Sequence, residues 1–239
     1  MIDQRPVTAV IWDYDGTLVD TRAKNWGITR QLVRSFTGVD PDTIEGLRSL
    51  DGYTSALHRH HNWRSLYVGE FGMSEEMTTD AGRRWTEFHL EDATAAPVYE
   101  GIDGVLAQLA TLPHGIVSAN SRDNIRRSLA DRGLLEHFQI VIGYEEVPAE
   151  RQKPAPDGLI LCLEALTGLA AGHVVYVGDH QIDIECARNA TAALRARGHD
   201  ITVFAVGAAY GIGAELGAWA DDPDYAIASP AELVALLHG

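Results

Sequence analysis

The chain has 239 residues, 46% hydrophobic and 22% charged, enough for one large domain or one carrying a smaller one around a substantial core. Its formal charge of -15 excludes non-specific nucleic-acid binding, which needs cations against the phosphate backbone, and disfavours docking on an anionic membrane. Two cysteines, Cys162 and Cys186, imply no disulfide framework, the N-terminal residues lack a signal-peptide layout, and no apolar run nears the ~20 residues that span a bilayer, so a cytoplasmic protein is expected.

The first apolar run, Val7–Trp12, is nearly continuous, as suits a strand buried on both faces of a parallel sheet. Residues 21–92 follow with helical periodicity, the tryptophans Trp26, Trp63 and Trp85, and no convincing strand, so they read as a helical insertion. Apolar, β-rich runs resume at 115–118, 139–142, 173–177 and 201–206. Helices alternate with them. The one over 121–132 has Ser121 to cap it, Asp123 in its first turn and Gly133 as its stop. A second opens at Pro156-Asp157 and halts near Gly168. The last opens on Ser229-Pro230-Ala231-Glu232, a capping box with proline at the first helical position. This alternation predicts an α/β fold: a doubly wound, Rossmann-like parallel sheet over 1–20 and 93–239, with a mostly α-helical domain inserted at 21–92.

Four motifs fall at the ends of these strands. Asp13-Tyr14-Asp15-Gly16-Thr17 follows the first, and side chains two apart on extended backbone point the same way, so both carboxylates face one site. Such a pair repels unless a cation joins it or one partner holds a proton. The alternative is a solvated Asp-rich turn. A calcium loop fits worse, because its sixth-position glycine would put the first ligand at Ile11. Ser118-Ala119-Asn120 ends the second strand just before a helix start, which suits either an anion site or an ordinary cap. Lys153-Pro154-Ala155-Pro156-Asp157 holds a lysine between restricted backbones, aimed at developing charge or standing on the surface. Gly178-Asp179-His180-Gln181-Ile182-Asp183 ends the fourth, with Asp179 and Asp183 spaced to share one helix face. Their oxygens suit a hard cation such as Mg²⁺, or simply a helix cap and an exposed acid. Singly each motif is ambiguous; four of them at successive strand ends are not what the bland alternatives predict.

With these residues in view, the chain resembles the haloacid dehalogenase superfamily, in its phosphoglycolate phosphatase-like branch. Asp13 to Asp20 match the first motif, Ser118 the second, Lys153 the third, and Gly178-Asp179 with Asp183 the fourth; 21–92 resembles the helical cap. The resemblance implies a Mg²⁺-dependent phosphatase acting on a small phosphorylated metabolite through an aspartyl-phosphate on Asp13. Asp15 would be the acid and then the base. Mg²⁺ would sit on Asp13, Asp179 and the Asp15 carbonyl, with Asp183 in support. Ser118, with the N–H groups of Ala119 and Asn120, would hold the phosphoryl oxygens, and Lys153 would neutralise charge and orient Asp13. The dehalogenases lack an acid where Asp15 stands. A phosphate-transferring mutase usually has a histidine where Asn25 stands, and an arginine in the stretch that here reads Gly52-Tyr53-Thr54-Ser55. That reading, and a non-catalytic binding protein on the same fold, are the alternatives.

Other features carry less. The basic cluster at 58–64 suits either substrate selection or a solvated helix face. Arg22 and Lys24 are placed to attract a phosphate, and the three tryptophans suit a helical core. The basic stretch 191–199 reads as a surface extension of a helix.

Overall fold

The computed structural model describes residues 2, 5–60, 62–210 and 221–238, and the chain divides into two compact units, 1–19 with 98–239, and 20–97. The stretch 93–97, which the sequence reading puts with the core, is grouped here with the helical residues.

The first unit holds strands β1 (Val7–Trp12), β2 (His114–Val117), β3 (Ile140–Ile142), β4 (Gly172–Gly178), β5 (Ile201–Ala208) and β6 (Tyr225–Ile227). They form one parallel sheet in the order β3-β2-β1-β4-β5-β6. Five of these strands lie on the five expected runs, while β6 was not anticipated. Period-two alternation sends Ala9 and Ile11 of β1, Val174 and Tyr176 of β4, and Val203 and Ala205 of β5 into one core with Leu159, Leu163, Ile184 and Leu194. The alternate residues Val10, Trp12, Val175 and Val177 are also buried, which is why these strands read as unbroken apolar runs. The chain leaves β1 toward β2 on one side and returns through β4 on the other, so a crevice opens at their carboxyl ends.

The second unit carries α1 (Arg22–Thr37), α2 (Glu45–Arg48), α3 (Leu50–Arg59), α4 (Trp63–Gly69) and α5 (Glu75–Glu91). Three of these helices, α3, α4 and α5, start where hydroxyl or amide side chains cap them: Ser49 accepts from the Gly52 N–H, Asn62 from Ser65 and Ser74 from Met77. Its core gathers Ile28, Leu32, Leu47, Leu66 and Phe71, with Trp26, Trp63 and Trp85 packed against it. The buried hydroxyls of Tyr53 and Tyr67 both meet that of Thr29, so these three polar groups are paired with one another. Of the cluster at 58–64, Arg59 and His60 both pair with Glu70 and Arg64 lies over the Trp63 ring, while His61 lies outside the described residues.

The first unit resumes with α6 (Ile102–Gln108), α7 (Arg122–Ala130), α8 (Asp157–Thr167), α9 (Gln181–Ala196) and α10 (Pro230–His238). Ser121 caps α7 by accepting from Asn124, and α8 ends on Gly168 in the left-handed region. Before α10, Glu232 accepts from the Ala228 N–H, one residue ahead of the expected cap. The stretch 191–196 continues α9, and its Thr191 hydroxyl accepts from the Val203 N–H at 2.9 Å, tying the helix to β5.

A buried histidine sets one pH response. His114 Nδ1 accepts from Trp12 Nε1 at 3.0 Å, so its proton sits on Nε2, which faces the Leu109 carbonyl at 3.1 Å. Burial holds its pKa below the ordinary 6.5, and the nearby His137 adds to the depression. Below about 6.5 the unfolded chain therefore binds a proton that the folded chain refuses, and stability falls as pH falls. Melting at several pH values should show the wild type losing more stability between neutral and mildly acidic pH than His114→Gln; parallel curves would refute this assignment.

Candidate active site

The crevice between β1 and β4 is where the motif residues arrive. The Asp13 N–H donates to the Val177 carbonyl at 2.8 Å, extending the β1–β4 ladder by one residue and fixing where its side chain emerges. The chain then turns sharply: the N–H groups of Leu18 and Val19 both donate to the Tyr14 carbonyl. Gly16 has φ +80°, and a Cβ there would lie 2.0 Å from Asp179 Oδ2. Only glycine allows both that conformation and that approach of backbone to carboxylate.

Lys153 binds the site from one side. It is almost wholly buried, and its Nζ donates to Asp13 Oδ1 at 2.6 Å and to Asp183 Oδ1 at 2.7 Å. Burial alone would lower its pKa, but the Asp13 and Asp183 carboxylates outweigh burial and hold it above the usual lysine range. Asp13, Asp179 and Asp183 each offer an oxygen within 4.8 Å of the others. Burial pushes the Asp13 carboxyl up to about 7; Lys153 opposes the shift, and Asp183 and Asp15 add to it. Asp179 is pushed well above the carboxylate range by burial first, then by Asp13 and Asp183. The cluster therefore carries more negative charge than Lys153 offsets. Oxygen donors in this surplus, those of Asp13 and Asp183 buried and that of Asp179 half-buried, fit a hard divalent cation. Asp183 is already engaged: Oδ1 accepts from Lys153 and Tyr176, and Oδ2 from the His180 N–H.

On the other side stands Asp15, whose two oxygens both receive Asn120 Nδ2, at 3.2 and 3.0 Å. Asn120 Oδ1 accepts from the Ser121 N–H at 2.8 Å, which orients the amide so that its NH₂ faces Asp15. The expected substrate-binding Asn120 thus holds a carboxylate. Ser118, also buried, accepts from the Asn120 N–H at 3.1 Å, and Ala119 stands exposed between them. The cap of α7 is Ser121, so Ser118 lies three residues ahead of that cap.

One expectation needs correction, and two cations near the first motif are engaged locally. Asp179 and Asp183 do not share a helix face, because α9 begins only at Gln181; they meet because the loop at Asp179 folds back on the first turn of α9. Arg22 is held by Asp20 through two contacts, at 2.9 and 2.7 Å, since Asp20 lies within reach across the start of α1. Lys24 donates to the Asp92 carbonyl at 2.8 Å, a local tie within the helical unit. Sequence reasoning missed Tyr176 altogether, although a phenol inside an otherwise apolar buried strand must find a polar partner.

The haloacid dehalogenase-like hydrolase family model matches residues 10–196. A phosphoglycolate phosphatase of Synechococcus elongatus is 28% identical over 228 residues, 95% of either chain. The pyrophosphatase PpaX of Listeria monocytogenes is 28% identical over 192 residues, covering 77% of this chain and 80% of its own. A haloacid dehalogenase-like hydrolase of Streptococcus pneumoniae superposes with a TM-score of 0.70 at 19% identity, over 96% of this chain and 97% of that one, so it shares the fold. With that match running from β1 through α9, across the strand ends that supply the acidic cluster and its lysine, the chain belongs to the haloacid dehalogenase-like hydrolases.

Proposed function

We propose that the protein is a Mg²⁺-dependent phosphatase that hydrolyses a small phosphorylated metabolite through an aspartyl-phosphate on Asp13. The observation that carries this reading is the buried Asp13 carboxylate, bonded to Lys153 at 2.6 Å and set among Asp15, Asp179 and Asp183. An Asp13 oxygen attacks phosphorus, the bond from phosphorus to the leaving oxygen breaks, and Asp15 delivers the proton that oxygen needs. Asp15, now a carboxylate steadied by Asn120, takes a proton from water as the water attacks phosphorus, freeing inorganic phosphate and restoring Asp13. Ser118 and the N–H groups after it are assigned to the phosphoryl oxygens, and Lys153 to the charge that spreads over them.

Asp13, Asp179 and the Asp15 carbonyl are the groups assigned to Mg²⁺, which supplies positive charge beside the phosphoryl group when bound. The helical unit 20–97 is assigned the part of a substrate-selecting cap. A cytoplasmic setting accords with the two unpaired, buried cysteines.

Phosphate release from a panel containing phosphoglycolate, pyrophosphate, sugar phosphates and nucleotides tests the reading, because relatives carry the names phosphoglycolate phosphatase and pyrophosphatase. Release from at least one compound, abolished by a chelator and restored by Mg²⁺, is the expected result. A folded protein that binds Mg²⁺ yet releases nothing from any compound would overturn it.

A further inference from the structure

We infer that Tyr176 is a positioning residue whose hydroxyl fixes the Lys153 ammonium between Asp13 and Asp183. The inference rests on the reading of Asp13 as nucleophile, because it concerns the group that neutralises and aims that carboxylate.

Tyr176 sits in β4, 1% exposed, three residues before Asp179. An ammonium has three N–H donors. Here they meet three acceptors: Asp13 Oδ1 at 2.6 Å, Asp183 Oδ1 at 2.7 Å and the Tyr176 hydroxyl at 3.1 Å. Every donor is used, so the ammonium has one direction. With only the two carboxylates, a flexible four-carbon stem could pivot about the line joining them. The third contact removes that freedom.

The hydroxyl is itself pinned. Its one proton lies between two acceptors, Asp183 Oδ1 at 2.9 Å and the Val117 carbonyl at 3.1 Å. Val117 ends β2 immediately before Ser118. A single oxygen on β4 thus ties together the end of β2, the Lys153 loop and the first turn of α9, three segments far apart in sequence. Tyr176 is assigned no contact with the substrate itself, and it acts through Lys153 and Asp183. Those two residues turn toward each other, which makes Asp183 a partner of the lysine before it is a partner of any metal.

A packing role makes a different forecast. The Tyr176 ring belongs to the apolar core between the sheet and α8 and α9, and phenylalanine would fill the same volume. If the ring alone matters, removing the oxygen should not change turnover.

The experiment compares wild type, Tyr176→Phe, Asp183→Asn and the double variant. Tyr176→Phe should keep its fold and its Mg²⁺ affinity, titrated without substrate, within about threefold, while kcat falls about tenfold or more with KM nearly unchanged. In the Asp183→Asn background the same change should cost far less, because both residues act on one ammonium. Unchanged kcat, a loss carried wholly by KM, or full additivity with Asp183→Asn would overturn the inference. If Tyr176→Phe does not fold, the wild type decides the matter without metal or substrate. Its Lys153 ammonium should give a slowly exchanging ¹H–¹⁵N signal, and exchange as fast as a surface lysine's would overturn the inference. A wild type that releases no phosphate refutes the phosphatase reading alone, and the ammonium signal still answers for Tyr176.

Discussion

Asp13→Asn should fold, bind its metal more weakly and release phosphate at least about a thousandfold more slowly than the wild type. The amide keeps the shape of the carboxylate but cannot act as the attacking oxygen. Its effect on stability should run the other way. Burial, Asp183 and Asp15 already push the Asp13 carboxyl up to about 7, so the folded protein holds that charge at a cost. Removing it relieves the crowding, while Lys153 keeps Asp183 as its counter-ion. Melting of the metal-free protein should therefore show the variant no less stable than the wild type. Turnover within tenfold of wild type would remove Asp13 from the nucleophile's place, provided mass spectrometry shows no reversion by deamidation.

Lys153→Met should be the most destabilising single change at this site, costing about 3–5 kcal/mol at neutral pH, as expected when one partner of a buried ion pair is removed. It should also lose about a hundred- to a thousandfold in phosphate release, the range for deleting one preorganised electrostatic contact. The lysine side chain is only 6% exposed and those of its partners Asp13 and Asp183 are 7% and 2%, so solvent cannot take over its part. The linkage gives a sharper check. With the lysine present, Asp13 already titrates near 7; without it, the folded state must hold a proton there more firmly still. The folded variant then binds more protons than the unfolded chain, whose Asp titrates near 3.8, and its stability rises as pH falls. The gap between wild type and variant should thus narrow from pH ~8 to pH ~5.5. A gap of constant width would mean that Lys153 contributes packing rather than charge.

Much of the architecture was legible because parallel strands are buried on both faces and so leave unbroken apolar runs, as Val7–Trp12 and 173–177 do. The strand β6 left no such trace: Tyr225–Ile227 is three residues long, its middle residue is exposed, and it is held by its ladder to β5. At the site, Asp13, Asp15 and Asp179 stood out because charge at the end of an apolar run is costly without a purpose, Lys153 because prolines restrict the backbone after it, and Asp183 by its spacing from Asp179. What was not legible is partnership. Nothing local shows that Asn120 turns to Asp15, that Tyr176 reaches across to Val117, or that α9 begins two residues after Asp179. Those facts depend on contacts between segments more than fifty residues apart, or on which of several polar residues wins a cap.

The sheet order has a consequence for how the protein is made. Of the described strands β1 leaves the ribosome before the others, yet its two neighbours begin only at His114 and Gly172. Between them the chain delivers the whole helical unit, which has a core of its own and local contacts to fold on. Through that interval a strand built from Ala9, Val10, Ile11 and Trp12, all fully buried at the end, has nothing to pair with. It is then a short, uncharged, β-prone segment of the kind that recruits other chains. Synthesis stalled before β4 would leave β1 exposed on that side and the acidic cluster unassembled. Truncated products of this chain should accordingly depend on chaperones far more than the finished one.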